Sequence, residues 1–378
     1  MKDNPVVSVT HTDNYQLEQV YADMHTHFER LGLSQYLRPG MHVLIKPNLV
    51  LKRSPEEATT THPVIVEAIV RCVQEYGVTD ITIADSPGGP FTESALHGIY
   101  AMSGMSGVAE RTGAKLNYDT GSFVRKRTEN KLVHRFTLIQ PIQNADFIIN
   151  AVKVKTHGMT MLSGGVKNLF GTVPGLMKPE FHWRFPDKSQ FCEMLVDLCE
   201  TIAPNLTIAD AVVSMEGDGP TGGVPKQTGF LLSSLSPYAL DMALCKMIGL
   251  SFGEVYTVKH AVERGLCPKD ISDIRIVGDE LIRIPDFHMP KSKSIAFSEK
   301  IPRVFRPITD KLLTSKPVIR KKDCVGCGKC AESCPAKTIR IIDKKAHIQY
   351  KKCIRCFCCH EMCPIRAIDI KRFKLFDW

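Results

Sequence analysis

No stretch of 18 or more apolar residues occurs in the 378-residue chain, so the sequence offers no membrane-spanning helix. The charged-then-apolar opening of a secretory signal is absent, and so is the Gly-x4-Gly-Lys-Ser/Thr run that cradles nucleoside triphosphates. Disulfide-like spacing is missing as well. Of the 14 cysteines, Cys72, Cys192, Cys199, Cys245, Cys267 and Cys358 are scattered, and the other eight fall into two tight runs. These absences exclude a secreted, disulfide-stapled protein and a P-loop NTPase. They lead us to expect a soluble, cytoplasmic protein working in a reducing compartment.

Patterned cysteine is what the chain has in excess. Cys324, Cys327, Cys330 and Cys334-Pro335 follow C-x2-C-x2-C-x3-C-P, and Cys353, Cys356, Cys359 and Cys363-Pro364 repeat it 29 residues on. This run holds iron–sulfur clusters in bacterial-type ferredoxins. A cubane needs four inward thiolates; three cysteines two residues apart wrap one face, and proline turns the chain away after the fourth. In two-cluster domains the fourth cysteine of each run crosses to the other cluster. We therefore expect two 4Fe–4S clusters, one on Cys324, Cys327, Cys330 and Cys363, the other on Cys353, Cys356, Cys359 and Cys334. Paired C-x2-C also builds zinc ribbons, but those usually stop at four ligands and lack the third cysteine and the Cys-Pro ending. Cys358 is left over as a buried thiol beside the ligands.

Charge is unevenly spread. Residues 289–378 hold 22 Lys/Arg against 8 Asp/Glu, whereas residues 1–288 hold 27 against 32. Each oxidised cluster with its four thiolates carries roughly −2, so two of them offset about four of the positive charges. The remainder favours docking to an acidic redox partner, a ferredoxin or flavodoxin, over nucleic acid or a membrane.

The first 288 residues alternate strand-like and helix-like segments, the pattern of an α/β domain with a largely parallel sheet. Expected strands are Val6–Thr10, His42–Asn48, Asp80–Asp85, Ala145–Asn150, Leu206–Asp210, Gly229–Ser233 and Asp273–Gly278. Expected helices are Tyr15–Leu33, one capped by Thr61 and running through Gly77, Phe181–Ile202 and Tyr238–Ile248; Arg127–Gln140 reads as a hairpin. A basic linker, 289–318, joins this domain to a small α+β ferredoxin domain at 319–378.

In doubly wound sheets ligands sit beyond the carboxyl ends of the strands. Lys46-Pro-Asn48, Asp85-Ser86-Pro-Gly-Gly89, Lys153-Val-Lys155-Thr-His157 and Ser163-Gly-Gly-Val-Lys167-Asn168 fall at such ends. Lysines there supply countercharge to an anion, small residues let the backbone approach it, and His157 can hold a proton or a metal. We expect Lys155, His157 and Lys167 as catalytic residues. Lys46, Asn48, His62, Asp85, Ser86, Asn168 and Glu216 are expected to bind a small anionic substrate or cofactor. Gly217-Asp-Gly219-Pro-Thr-Gly222 spells G-x-G-x-x-G, but Pro220 and Pro225 forbid the helix that would receive a pyrophosphate. It reads as a turn carrying Glu216 and Asp218 toward the cleft. His182, in Pro-Glu-Phe-His-Trp, is a further candidate ligand.

Lys46-Pro-Asn-Leu-Val50, Thr60-Thr-His-Pro63, Ile83-Ala-Asp-Ser-Pro-Gly88, Lys153-Val-Lys-Thr-His157, Ser163 to Gly171 and Glu216-Gly-Asp-Gly-Pro220 together resemble the signature blocks of the domain of unknown function 362 family. Members of that family are often fused to a bacterial-type ferredoxin. Ala145-Asp-Phe-Ile-Ile, Lys153-x-Lys155-x-His157, Ser-Gly-Gly-x-Lys167 and Val-Pro-Gly175 are also similar to a stretch of nickel-pincer lactate racemases. That similarity implies Lys167 at the position that tethers the nickel cofactor, His157 at a catalytic position and His182 near a metal ligand. Lys153 replaces that family's first histidine, which breaks its acid–base pair, so the expectation is a related cleft with different chemistry. The function expected is an iron–sulfur oxidoreductase in which two clusters relay electrons to a substrate or cofactor in the α/β domain. The alternative is a non-enzymatic electron carrier or a cofactor- or metal-site assembly factor.

Overall fold

A computed structural model describes residues 4–292 and 315–371 of the chain. Most of the basic segment 289–318, and the last seven residues of the chain, lie outside the described residues.

The large domain is built on one nine-stranded sheet. Its strands are β1 (Val6–His11), β2 (His42–Lys46), β3 (Asp80–Ile83), β4 (Lys115–Leu116), β7 (Phe147–His157), β8 (Met161–Ser163), β9 (Leu206–Glu216), β10 (Val224–Ser234) and β11 (Arg275–Gly278), with β5 (Ser122–Lys126) and β6 (Arg135–Ile139) forming a separate hairpin. The order is β11-β1-β10-β9-β7-β2-β3-β4, with β8 paired to β7. The run from β9 through β7, β2 and β3 to β4 is parallel, and β10 is antiparallel to both its neighbours. The central strands are nearly continuous apolar runs because both faces are covered. Alternation then deals their side chains to two cores. Val43, Ile45, Phe147 and Ile149 pack with helices α1 (Leu17–Arg30) and α2 (Pro63–Glu75); Leu44 and Ile148 pack on the other side with helices 188–202 and 237–248.

Several elements depart from expectation for local reasons. The 181–202 helix is two helices, Met177–Arg184 and Lys188–Ile202: Pro186 offers no N–H, and Asp187 caps the second by accepting from Gln190 N. The cap of α2 is His62, whose ring accepts from Val64 N, while the Thr61 hydroxyl donates to Ala151 O. The hairpin begins earlier, at Ser122, with residues 127–134 as its loop. Two strands run on past their apolar cores, β7 to His157 and β9 to Glu216, and this extension projects polar residues over the sheet edge.

The cysteine-rich module pairs β12 (Lys316–Ile319) with β15 (Ile368–Lys371) and β13 (Ile339–Ile342) with β14 (Lys345–Ile348), with short helices at 329–332 and 358–361. Among the described residues no helix is long and apolar enough to cross a membrane.

Candidate functional site

A cleft opens where the parallel strands end, and the cysteine-rich module covers it. Its floor comes from the residues just past β2 and β3 and from the turn 163–171; Cys358, Glu361, Met362 and Ser333 of the module form the opposite wall. Lys46 and Asp85 pair at 2.7 Å, both fully buried. Asn168 Oδ1 accepts from Asn48 Nδ2 at 2.8 Å, and Asn168 Nδ2 donates to Asn150 Oδ1 at 2.8 Å, which locks the amide ladder beneath the cleft. Gly171 is needed there, because a Cβ would fall within 2.1 Å of Asp85 Oδ1 and 2.6 Å of Lys46 Nζ. The turn bearing Lys167 is held by Asp241, whose carboxylate accepts from the amides of Gly165 and Val166; burial pushes that carboxyl up to about 7.

His157 is oriented by its backbone. Its Nδ1 accepts from the amides of Met159 (3.0 Å) and Thr160 (3.2 Å), so the ring proton sits on Nε2. That nitrogen faces Glu361 Oε1 at 3.2 Å without an aligned hydrogen bond. Burial lowers the pKa of His157 against the pull of Glu361, and a protonated Nδ1 would face two amide donors; the ring is neutral. Burial pushes the Glu361 carboxyl up, but the neighbouring His157, Lys167 and His182 outweigh it and hold it below the usual carboxylate range. His182 stacks on Phe191 at 4.3 Å, its Nδ1 is buried with no hydrogen-bond partner among the described residues, and burial lowers its pKa to about 3.

Besides Lys46, which is paired with Asp85, two lysines line the cleft. The ammonium of Lys167 lies 4.9 Å from the Phe170 ring centre, and no described acceptor bonds it. Lys178 donates to Ser86 O at 2.7 Å and to Ser86 Oγ at 3.3 Å; burial, with Lys46 and Lys167 nearby, lowers its pKa to about 7 although Asp85 opposes the shift. The cleft can therefore hold an anion on cationic groups, with a proton available at His157 Nε2.

The residues expected at the site divide. Lys46, Asn48, Asp85, Ser86, His157, Lys167, Asn168 and His182 line the cleft. Lys155, His62 and Glu216 do not. Lys155 lies one layer below, where its Nζ donates to Asn48 Oδ1 (2.9 Å) and Thr59 O (2.6 Å). Its pKa is depressed well below normal by burial and by Lys167, so its place is under Asn48. Lys153 is likewise consumed by Asp210 at 3.0 Å. His62 stacks on Tyr15 at 3.5 Å. Glu216 is taken by His288 (2.8 Å) and Lys226 (3.4 Å). The 217–222 turn brings Pro220 rather than carboxylates to the cleft, and leads into strand β10. Lys178, Phe170, Glu361 and Cys358 were not foreseen as site residues. For Lys178 and Glu361 the sequence carries no signal, because each reaches the cleft only through tertiary packing.

The module is seated by contacts that need small residues opposite. A Cβ on Gly88 would lie 2.5 Å from Met362 Sδ, and one on Gly222 would lie 2.4 Å from the His360 ring. His360 Nε2 donates to Asp218 O (3.0 Å), Thr221 Oγ1 to Glu361 O (3.0 Å), and Arg53 Nη2 to Cys363 O (3.2 Å). Within the module Cys324, Cys327, Cys330 and Cys363 line one cavity, and Cys334, Cys353, Cys356 and Cys359 line another. Cys358 lines the second cavity and also the cleft.

Residues 43–246 match the model of the domain of unknown function family DUF362, and residues 316–364 match a 4Fe–4S dicluster domain. The chain belongs to the DUF362 family. Thylakoid-associated protein sll1697 of Synechocystis sp. is 32% identical over 271 residues, covering 69% of this chain and 80% of that protein. The lactate racemase apoprotein of Thermoanaerobacterium thermosaccharolyticum aligns at a TM-score of 0.37 and 14% identity, over 65% of this chain and 57% of that one. The chain thus spans a little over half the length of that solved structure. This DUF362 member is an iron–sulfur protein with a ferredoxin-type domain at its C-terminal side.

Proposed function

We propose that the protein is an oxidoreductase in which two 4Fe–4S clusters relay electrons to a small anionic substrate or cofactor in the cleft. The observation that carries this reading is the shared wall: Cys358 borders both the inner cysteine cavity and the cleft. Each cavity presents four cysteines in the crossed pattern that a two-cluster ferredoxin uses, which fits one cubane apiece. When bound, such clusters supply single electrons. The chain's own groups do the rest. Lys167 and Lys178 neutralise the anion, the Lys46–Asp85 pair and Asn168 shape the floor, and His157 holds a proton at Nε2 beside Glu361. The seated module walls off one side of the cleft from bulk solvent, which strengthens each of these interactions.

The test is anaerobic reduction with dithionite, followed by a screen of small carboxylates and unsaturated anions for reoxidation of the cluster absorbance. Reoxidation by one compound class, lost in Lys167→Met, is the expected result. Intact clusters that no compound reoxidises would remove the reading. A second reading, an assembly factor that holds a metal-bearing cofactor without turnover, is favoured by His182 Nδ1, which is buried at the cleft wall with no hydrogen-bond partner among the described residues. It predicts stoichiometric retention of such a cofactor and no catalytic reoxidation.

A further inference from the structure

The two cysteine cavities differ in what lies outside them. The inner one meets the cleft through Cys358, whereas the outer one shares no lining residue with the cleft. Of the eight cysteines in the two runs, Cys327, on the outer cavity, is the exposed one. The module that carries it exposes aliphatic side chains that a folded protein normally hides: Val325 is 63% exposed, Ile342 48%, Ile365 42% and Ile341 38%. Three of these, Val325, Ile341 and Ile365, line the mouth of the outer cavity itself.

The rim is basic. Residues 320–346 contain eight Lys/Arg and three Asp/Glu. Two of those acids are already matched locally, Asp323 by Arg320 at 2.6 Å and Glu332 by Lys329 at 3.3 Å. Lys345 and Lys321 are pinned close to the cysteine loop, donating to Cys324 O and Ala346 O at 2.7 Å each. Lys322 and Lys344 are exposed beside them.

We propose that this outer face, centred on Cys327, is the docking surface for an acidic single-electron carrier protein. The inference rests on the relay reading above and gives the relay its other end. An apolar centre with a charged rim is the anatomy of a protein interface. A small, charge-steered contact suits a carrier that must leave after each electron, since redox encounters bury little area and gain their speed from electrostatics. Charge complementarity selects the partner: a surface rich in Asp and Glu. Single-stranded nucleic acid fits less well, because the exposed apolar groups are aliphatic and give bases nothing to stack on.

Stopped-flow reduction of the holoprotein tests it, with a reduced, acidic two-iron ferredoxin as the probe and dithionite as the small reductant. The rate with ferredoxin should fall about tenfold or more as salt is raised through the physiological range. Lys322→Glu combined with Lys344→Glu should slow it by a similar factor at low salt, with unchanged iron content and an unchanged rate with dithionite. A ferredoxin rate indifferent to both salt and the double substitution would overturn the proposal. So would salt-sensitive binding of the holoprotein to anionic vesicles or single-stranded DNA that the double substitution abolishes while the ferredoxin rate stays constant. The two readings fail separately. If the cleft reading is wrong, ferredoxin still reduces the protein but no substrate reoxidises it. If the docking reading is wrong, dithionite-reduced protein still reoxidises with substrate.

Discussion

The two cysteine cavities come from one repeated motif and end in opposite surroundings. The inner cavity is bounded by Cys358 and the charged cleft; the outer one is lined by exposed Val325, Ile341 and Ile365. The repeats themselves do not create this difference. It comes from the helix at 358–361, where Cys358, Glu361 and the following Met362 face the large domain, and from the turns at 88–89 and 217–222 that receive them. A duplicated cysteine module acquires a direction when one end is packed and the other is exposed.

Removing one ligand from each cavity gives the largest contrast. Cys356→Ser should abolish reoxidation by a cleft substrate, with about half the iron lost and the outer cluster still visible by electron paramagnetic resonance. Cys327→Ser should instead slow reduction by a protein carrier. Next comes the cleft side of the comparison. Lys167→Met should weaken binding of the anionic substrate by about 10- to 100-fold in a titration, the worth of one charge-assisted hydrogen bond of about 1.5–3 kcal/mol.

The packed end can be pried apart. Gly222→Ala forces a Cβ against the His360 ring and should lower stability by about 1–3 kcal/mol in denaturant melts. Gly253→Ala, where a Cβ would meet Ser251 Oγ only at 3.8 Å, should change it by less than about 0.5 kcal/mol. A smaller effect tracks Lys178. Its pKa of about 7 means the ammonium is present below neutrality and lost above it. Anion affinity should therefore fall several-fold as pH rises through 7, by on the order of 1 kcal/mol, and Lys178→Gln should flatten that dependence. The smallest effect is Glu57→Ala, which removes the half-exposed pairs to Arg53 and Arg366 and should cost no more than about 1 kcal/mol.

Much of this was legible in the residues. The C-x2-C-x2-C-x3-C-P repeats specify both cysteine sets, and polar tails on apolar strands mark the cleft floor at Lys46, Asn48, Asp85, His157 and Lys167. Side-chain fate was not legible. Lys153, Lys155 and His157 alternate along one strand and look equivalent, yet the first meets Asp210, the second meets Asn48 and Thr59, and only the third reaches the cleft. Which lysine is consumed by a buried acceptor depends on segments 57 and 96 residues away in the chain. Glu361 and Cys358 were hidden for the converse reason. Inside a cysteine motif they read as spacers, and only the seating of the module turns them toward the α/β domain.

That seating also governs basicity. With Cys358, Glu361 and Met362 in place, the cleft lysines sit in a poorly solvated space, and burial is the largest influence lowering both Lys167 and Lys178. Lifting the module by a few ångströms would admit water, restore the ammonium groups to their ordinary strength and weaken every attraction in the cleft. The cysteine-rich part of the chain is thus also the stopper that sets the local dielectric, so a loosened module would alter proton affinity in the cleft even with its own cysteine cavities intact.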